Sequence, residues 1–226
     1  MTDEETVLVL QHQDDAGPGN LGAWLTGNGL PWELVDVPSG TLPPLRRHRA
    51  VVVLGSREAA YDESLPWLAA ERGFVRASIA LGTPVLGICF GAQVLAQLFG
   101  GAVHRAATIE RGWTPVAQRA DLQYSGLVGG TWFEWHGDEI TAPPTATVLA
   151  AGLCVQAFRH GPHLGVQFHP EVTAEQLTRW MDSDRRLKLL EEAGGERATL
   201  LADTAKHLPD ATEAAGRLYA RFFGTG

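Results

Sequence analysis

Cys89 lies between two glycines, Gly87 and Gly91, in "GICFG", straight after the apolar run "PVLGI" and straight before a helix-like stretch. A chain that passes from strand to helix with no loop must bend sharply. Small neighbours let the backbone take a strained conformation and hold the apical side chain out. A thiol there sits near a helix N-terminus, where unpaired N–H groups and the helix dipole favour thiolate. The N–H of Phe90 would point where an oxyanion forms. Nucleophilic attack by sulfur is the chemistry this stretch could do. The alternative is a small core residue beside two packing glycines.

A sulfur nucleophile needs a base, and the base needs a group to orient it. The segment "LGVQFHPEV" carries both: His169 follows an alternating run, and Glu171 lies two residues on, across Pro170. Pro170 biases His169 toward extended geometry. Residues two apart in an extended segment share a face, so Glu171 can hold one ring nitrogen and leave the other for Cys89.

These side chains must be brought together by a sheet. "TVLVLQ", "WELVDV", "AVVVLGS" and "PVLGI" read as strands, and the stretches Leu21 to Gly27, "LPWLAAERGFVRASIALG" and "FGAQVLAQLFGG" read as helices. Pro66 could open the second helix, and glycines close the third. Such alternation predicts a parallel sheet covered on both faces. In the second half, "WTPVAQ", "GTWFEWHG", "ATVLAAG", "CVQAFRH" and "LGVQFH" read as short strands of a mixed or antiparallel edge. From Thr173 the chain reads as helical, broken once at "EEAGGE". The fold class expected is α/β: a flavodoxin-like three-layer sandwich with a mixed edge and a helical C-terminal extension.

With 226 residues, one domain spanning 1–226 is expected, its catalytic core at about 5–172 and its helical tail at 173–226. The net charge of -8 disfavours nucleic acid or an anionic membrane as partner. The acidic start "MTDEETVLVL" has no basic region and only a short apolar run, so no signal peptide is expected. Two cysteines, Cys89 and Cys154, do not make a disulfide framework, and a cytoplasmic location follows as the expectation.

Other patterns have plainer readings. "GPGNLG" matches a dinucleotide fingerprint in spacing, but "HQDDA" separates it from its strand, so a loop opening the first helix is expected. His163 and His169 would stand roughly 20 Å apart along a strand, too far to share an ion, and no metal is expected. His160 and His163 would flank a turn at Gly161 and Pro162. Trp132, Phe133 and Trp135 read as core or substrate wall, "PLRRHR" as a solvated loop, and Cys154 as inert core.

The two segments "GICFGAQ" and "GVQFHPE" together resemble the signatures of the class I glutamine amidotransferases, the Cys-His-Glu type. "VVVLGSREAAYD" is similar to that family's oxyanion strand and loop, and "FEWHGDEI" to a segment of its GMP-synthase-like members. The resemblance implies an enzyme in which Cys89 attacks the amide of glutamine. His169 would serve as acid and base, and Glu171 as its support. It implies an oxyanion site from Phe90 and the Gly55–Ser56 turn, and substrate recognition by Gln93, His136, Gly137 and Asp138. Where most relatives have Gly-Gly-Pro, this chain has Gly55-Ser56-Arg57. The resemblance implies no cofactor. It implies glutamine or another γ-glutamyl compound as substrate and, as no synthetase segment is visible, a separate synthetase or acceptor subunit as partner. A γ-glutamyl hydrolase or peptidase, and a catalytically silent or redox-sensing protein on the same fold, stay open as alternatives.

Overall fold

Four short runs are buried along their whole length: Val7–Gln11 (β1), Ala50–Val53 (β3), Val85–Ile88 (β4) and His163–Val166 (β9). Strands apolar on both sides need cover on both sides. The computed structural model describes residues 5–119 and 123–225. The acidic start at residues 1–4, read above for a targeting segment, lies outside them.

One nine-stranded sheet organises the chain. The remaining strands are Trp32–Asp36 (β2), Ala102–Gln118 (β5), Gly130–Thr141 (β6), Thr147–Ala151 (β7) and Val155–His160 (β8). The order is β2-β1-β3-β4-β9-β8-β7-β5-β6. The first five run parallel, and the last four pair antiparallel. The helices are Gly19–Gly27 (α1), Leu68–Ala80 (α2), Phe90–Leu98 (α3), Ala174–Met181 (α4), Asp184–Glu192 (α5) and Arg197–Phe223 (α6).

The period-two alternation of the strands divides the core. Val7, Val9, Ala50 and Val52 pack with Leu21 and Leu25 of α1 and with Ala215 and Leu218 of α6. Leu8, Leu10, Val51 and Val53 pack with Val75 of α2 and with Val94 and Leu95 of α3. The result is the expected three-layer flavodoxin-like sandwich with an antiparallel edge. The helical tail does more than extend it: α6 supplies buried residues to one face of the sheet, so the hydrophobic core runs well past residue 172. The tail also breaks twice, at 182–183 as well as at "EEAGGE". Thr173 and Gln176 form a capping box that starts α4.

Several readings need correction. β5 runs from Ala102, far upstream of "WTPVAQ", because its first part is largely exposed and shows no alternation. The basic run is not all solvated. His48 is buried, its N–H 3.4 Å from Thr83 Oγ1, and Arg49 donates to the Phe223 carbonyl. His160 and His163 do pair across a hairpin. Burial, then the charge of His160, push His163 down to about 4, so it is a neutral ring accepting the Val85 N–H at 3.2 Å.

The glycines at 87 and 91 serve space, since neither has positive φ. A Cβ on Gly87 would lie 2.4 Å from the Gly91 carbonyl oxygen, and one on Gly91 only 2.0 Å from the Val53 carbonyl oxygen. α3 is thus seated directly on the sheet backbone. Gly91→Ala is expected to cost about 3 kcal/mol or more. Gly73→Ala, on the exposed side of α2 with nothing within 4 Å, should instead gain about 0.5–1 kcal/mol. Denaturant midpoints of the two variants check both signs.

Candidate active site

The carboxyl ends of β1, β3, β4 and β9 open on one side of the sheet, where open α/β folds bind their ligands. At the end of β4, the Cys89 N–H still bonds across to the Val166 carbonyl at 2.8 Å, while its own carbonyl already accepts from Gln93 in α3. One residue serves both elements. Cys89 accordingly sits at φ 51° and ψ -106°, the one non-glycine with positive φ among the described residues. Such a conformation costs of order 1–3 kcal/mol. The strain falls on the cysteine at the apex of the bend, and the glycines beside it supply room.

His169 follows β9, its N–H bonded to the Phe133 carbonyl at 2.8 Å, its ring edge-on to Trp180 at 5.9 Å. Its Nδ1 lies 2.7 Å from Glu171 Oε1. Pro170 and Glu171 form a turn and not the extended segment expected; the contact survives because the turn brings the carboxylate back under the ring. Burial opposes a charge on His169. Glu171 and then Cys89 outweigh it, and the imidazole is raised well above its usual range. A Cβ built on Gly55 would stand 3.0 Å from His169 Cε1 and 3.7 Å from Cys89 Cβ. Cysteine and histidine therefore flank the Gly55–Ser56 turn after β3.

The remaining expected residues gather here too. Phe90 is the first residue of α3, so its N–H has no partner within the helix. Gln93 is buried against Gln167, whose Nε2 in turn lies 3.6 Å from Cys89 Sγ. Ser56, Cys89, Gln93, His136, Gly137, Asp138 and His169 all border one cavity of about 300 Å³, at the small end for a small-molecule site. Tyr61 donates to Asp138 at 3.1 Å. His136 reaches the wall, but its ring is committed elsewhere. Nδ1 lies 3.0 Å from the Asp138 carbonyl, and Nε2 faces Glu134 and Glu110. Burial works against its charge; Glu110 and Glu134 prevail and push it up to about 10. Trp132 and Phe133 are core, and Trp135 borders the cavity, as expected.

Three supports escaped the sequence reading. His12, directly after β1, bridges the Glu71 carboxylate at 2.7 Å and the Gly55 carbonyl at 3.2 Å, pinning the turn between cysteine and histidine. Gln13 Oε1 accepts both the N–H and the Nε–H of Arg57, at 3.1 and 2.9 Å. Asn20, within "GPGNLG", donates to the Pro170 and Val172 carbonyls, and its N–H binds the Glu171 carbonyl at 2.8 Å. That loop does open α1, and it also clamps the His-Pro-Glu turn. A Cβ on Gly19 would lie 2.1 Å from the Glu171 carbonyl oxygen. A histidine at the carboxyl end of a parallel strand was the one visible signal. Cys154, by contrast, is not in apolar core: its sulfur lies 3.6 Å from Glu110 Oε2.

A strained sulfur facing a carboxylate-steered imidazole, at the carboxyl edge of a parallel sheet, is the apparatus of a cysteine-nucleophile amide hydrolase. Comparison with known proteins makes this specific: residues 51–183 match the class-I glutamine amidotransferase family. The chain belongs to that family. It is 37% identical over 134 residues to the glutamine-hydrolyzing GMP synthase of Mycolicibacterium paratuberculosis, covering 56% of this chain and 24% of the relative. Against the Parafrankia sp. enzyme of the same name it is 34% identical over 171 residues, covering 71% of this chain and 29% of the relative. The chain thus spans about a quarter of the length of these relatives. Among solved structures, a glutamine amidotransferase from Thermotoga maritima superposes with a TM-score of 0.89 at 27% identity, covering 97% of this chain and 98% of that one. One from Methylobacillus flagellatus gives 0.88 at 26%, covering 97% and 94%. No helix among the described residues is long and apolar enough to cross a membrane.

Proposed function

We propose that this chain hydrolyses the side-chain amide of glutamine to glutamate and ammonia, and that the ammonia passes to a separate acceptor protein. The observation that carries this reading is the His169–Glu171 contact of 2.7 Å behind the strained Cys89. The Cys89 sulfur attacks the amide carbon. The carbonyl becomes an oxyanion held by the N–H of Phe90 and one from the Gly55–Ser56 turn; the Arg57 N–H is spent on Gln13. His169 gives its proton to the departing nitrogen, and ammonia leaves a γ-glutamyl thioester. His169 then takes a proton from water, whose oxygen attacks the thioester carbon and frees the thiol. Gln93, His136, Gly137 and Asp138 border the cavity where the amino-acid end would rest. The whole of 1–226 acts as one domain on this reading.

Exposure to a glutamine-like chloroketone followed by mass spectrometry tests it. One label on Cys89, prevented by excess glutamine, is the expected result; labelling elsewhere, or labelling that glutamine does not slow, rejects it.

A second reading has its own observation. Five arginines, Arg57, Arg105, Arg111, Arg185 and Arg186, border the cavity against three acids, Asp15, Glu58 and Asp138, in a chain that is acidic as a whole. Arg186 is tied to Asp15 at 2.8 Å and stacks on Trp180 at 3.8 Å. This basic excess suits a γ-glutamyl compound whose amine portion carries a negative charge. Arg185→Ala is then expected to lower kcat/KM about tenfold for a γ-glutamyl amino acid and to leave that for glutamine unchanged. Equal effects on the two substrates would exclude this second reading.

A further inference from the structure

Behind the cavity wall, Glu110, His136 and Cys154 bring one potential ligand atom each within 4.8 Å of one another. They arrive from three places: β5, β6 and the turn before β8. The Asp138 carbonyl oxygen, 3.0 Å from His136 Nδ1, can only accept, so Nδ1 carries a proton and Nε2 is left for another partner. Nε2 faces two carboxylate oxygens, Glu134 Oε2 at 3.2 Å and Glu110 Oε2 at 3.4 Å. Neither is aligned for a hydrogen bond. Nε2, both oxygens of Glu134 and Glu110 Oε1 have no hydrogen-bond partner among the described residues. Glu134 is fully buried, and Glu110 and His136 are nearly so. Cys154 Sγ lies 3.6 Å from Glu110 Oε2, and Gln156 donates to that same oxygen at 3.0 Å.

Two buried carboxylates facing an imidazole nitrogen require a compensating positive charge. A single proton on Nε2 would satisfy one oxygen in line, whereas here neither carboxylate meets it in hydrogen-bond geometry. Zinc bonds of about 2.0–2.3 Å set tetrahedral ligand atoms roughly 3.3–3.6 Å apart. Two contacts between the grouped atoms, His136 Nε2 to Glu110 Oε2 at 3.4 Å and Cys154 Sγ to Glu110 Oε2 at 3.6 Å, match that spacing.

We propose that Glu110, His136 and Cys154 form a divalent-metal site, suited to zinc by its mixed oxygen, nitrogen and sulfur donors, with the Glu134 carboxylate beside it at 3.2 Å from His136 Nε2. Binding releases the Cys154 thiol proton and the Nε2 proton of His136, and the Asp138 carbonyl orients the imidazole through Nδ1. Three protein ligands hold the ion between β5, β6 and the turn before β8, behind the cavity wall. The Gly137–Asp138 stretch of the cavity wall is thereby fixed from behind. The site stands on the geometry alone and does not depend on which γ-glutamyl substrate is used.

The test uses the full chain without a histidine tag, carrying Cys89→Ser so that the nucleophile takes up no metal. After incubation with zinc and desalting, elemental mass spectrometry should find one zinc per chain. The thermal midpoint should rise with added zinc, and Cys154→Ser or Glu110→Gln should weaken zinc binding at least tenfold. Cobalt in place of zinc should give a thiolate-to-metal absorption in the near ultraviolet. That spectrum needs no change at Cys154, so it decides the matter even if those variants fail to fold. Substoichiometric metal with no cobalt–thiolate band would overturn the proposal. So would full zinc occupancy persisting in folded Cys154→Ser and Glu110→Gln variants.

Discussion

Cys89→Ser is expected to reduce glutamine hydrolysis by roughly 10⁴- to 10⁶-fold while leaving glutamine binding and the fold nearly unchanged. Serine keeps a Cβ and a small polar atom, so it can take the same φ of 51° between Val166 and α3. What it removes is the sulfur nucleophile that the thioester step requires. No second cysteine stands among the described residues that border the cavity, and Cys154 lies behind the wall against Glu110. Steady-state ammonia release gives the rate, calorimetry the affinity, and a thermal melt the fold. More than about 1% residual turnover would remove Cys89 from the nucleophile's role.

The second large effect concerns charge. Glu171→Gln keeps the shape beside His169 Nδ1 and deletes the charge that contributes most to raising its pKa. The sign follows directly. A histidine raised well above about 6.5 holds its proton at neutral pH and loses it only as pH climbs through the folded-state value. The ion pair's contribution to stability is complete below about 6.5 and disappears over the same alkaline window. Donation to the leaving ammonia needs that proton, so kcat/KM falls on the alkaline side. In Glu171→Gln the alkaline limb should move to lower pH, and kcat at neutral pH should fall about 10²- to 10⁴-fold. A pH–rate profile measures both. An alkaline limb that stays in place would show that Glu171 does not set the protonation of His169.

Why some of this could be read in the sequence and some could not has physical reasons. The parallel half announces itself, because "VLVL" and "AVVV" are buried on both faces and so apolar throughout. Cys89 and the His-Pro-Glu stretch were legible because sharp bends and carboxylate-steered histidines need particular neighbours in sequence. Contacts between distant residues have no such local mark. His12 meets Glu71 across 59 positions, and Glu110 meets Cys154 across 44. The first part of β5 is exposed on both sides, and that leaves no hydrophobic period to detect. The reach of Glu171 back to the imidazole was anticipated, but on the wrong backbone: a turn achieves what an extended segment was thought to do.

Asn20 has a further neighbour, Tyr219 of α6, whose hydroxyl donates to Asn20 Oδ1 at 3.1 Å. The same amide holds the carbonyls on either side of Glu171. The last helix therefore reaches the proton-transfer pair through this asparagine, though none of its described residues borders the cavity. A binding protein that grips or pulls the end of α6 would act on catalysis from the far side of the molecule, a short mechanical linkage through which turnover could be throttled without obstructing the substrate's entrance.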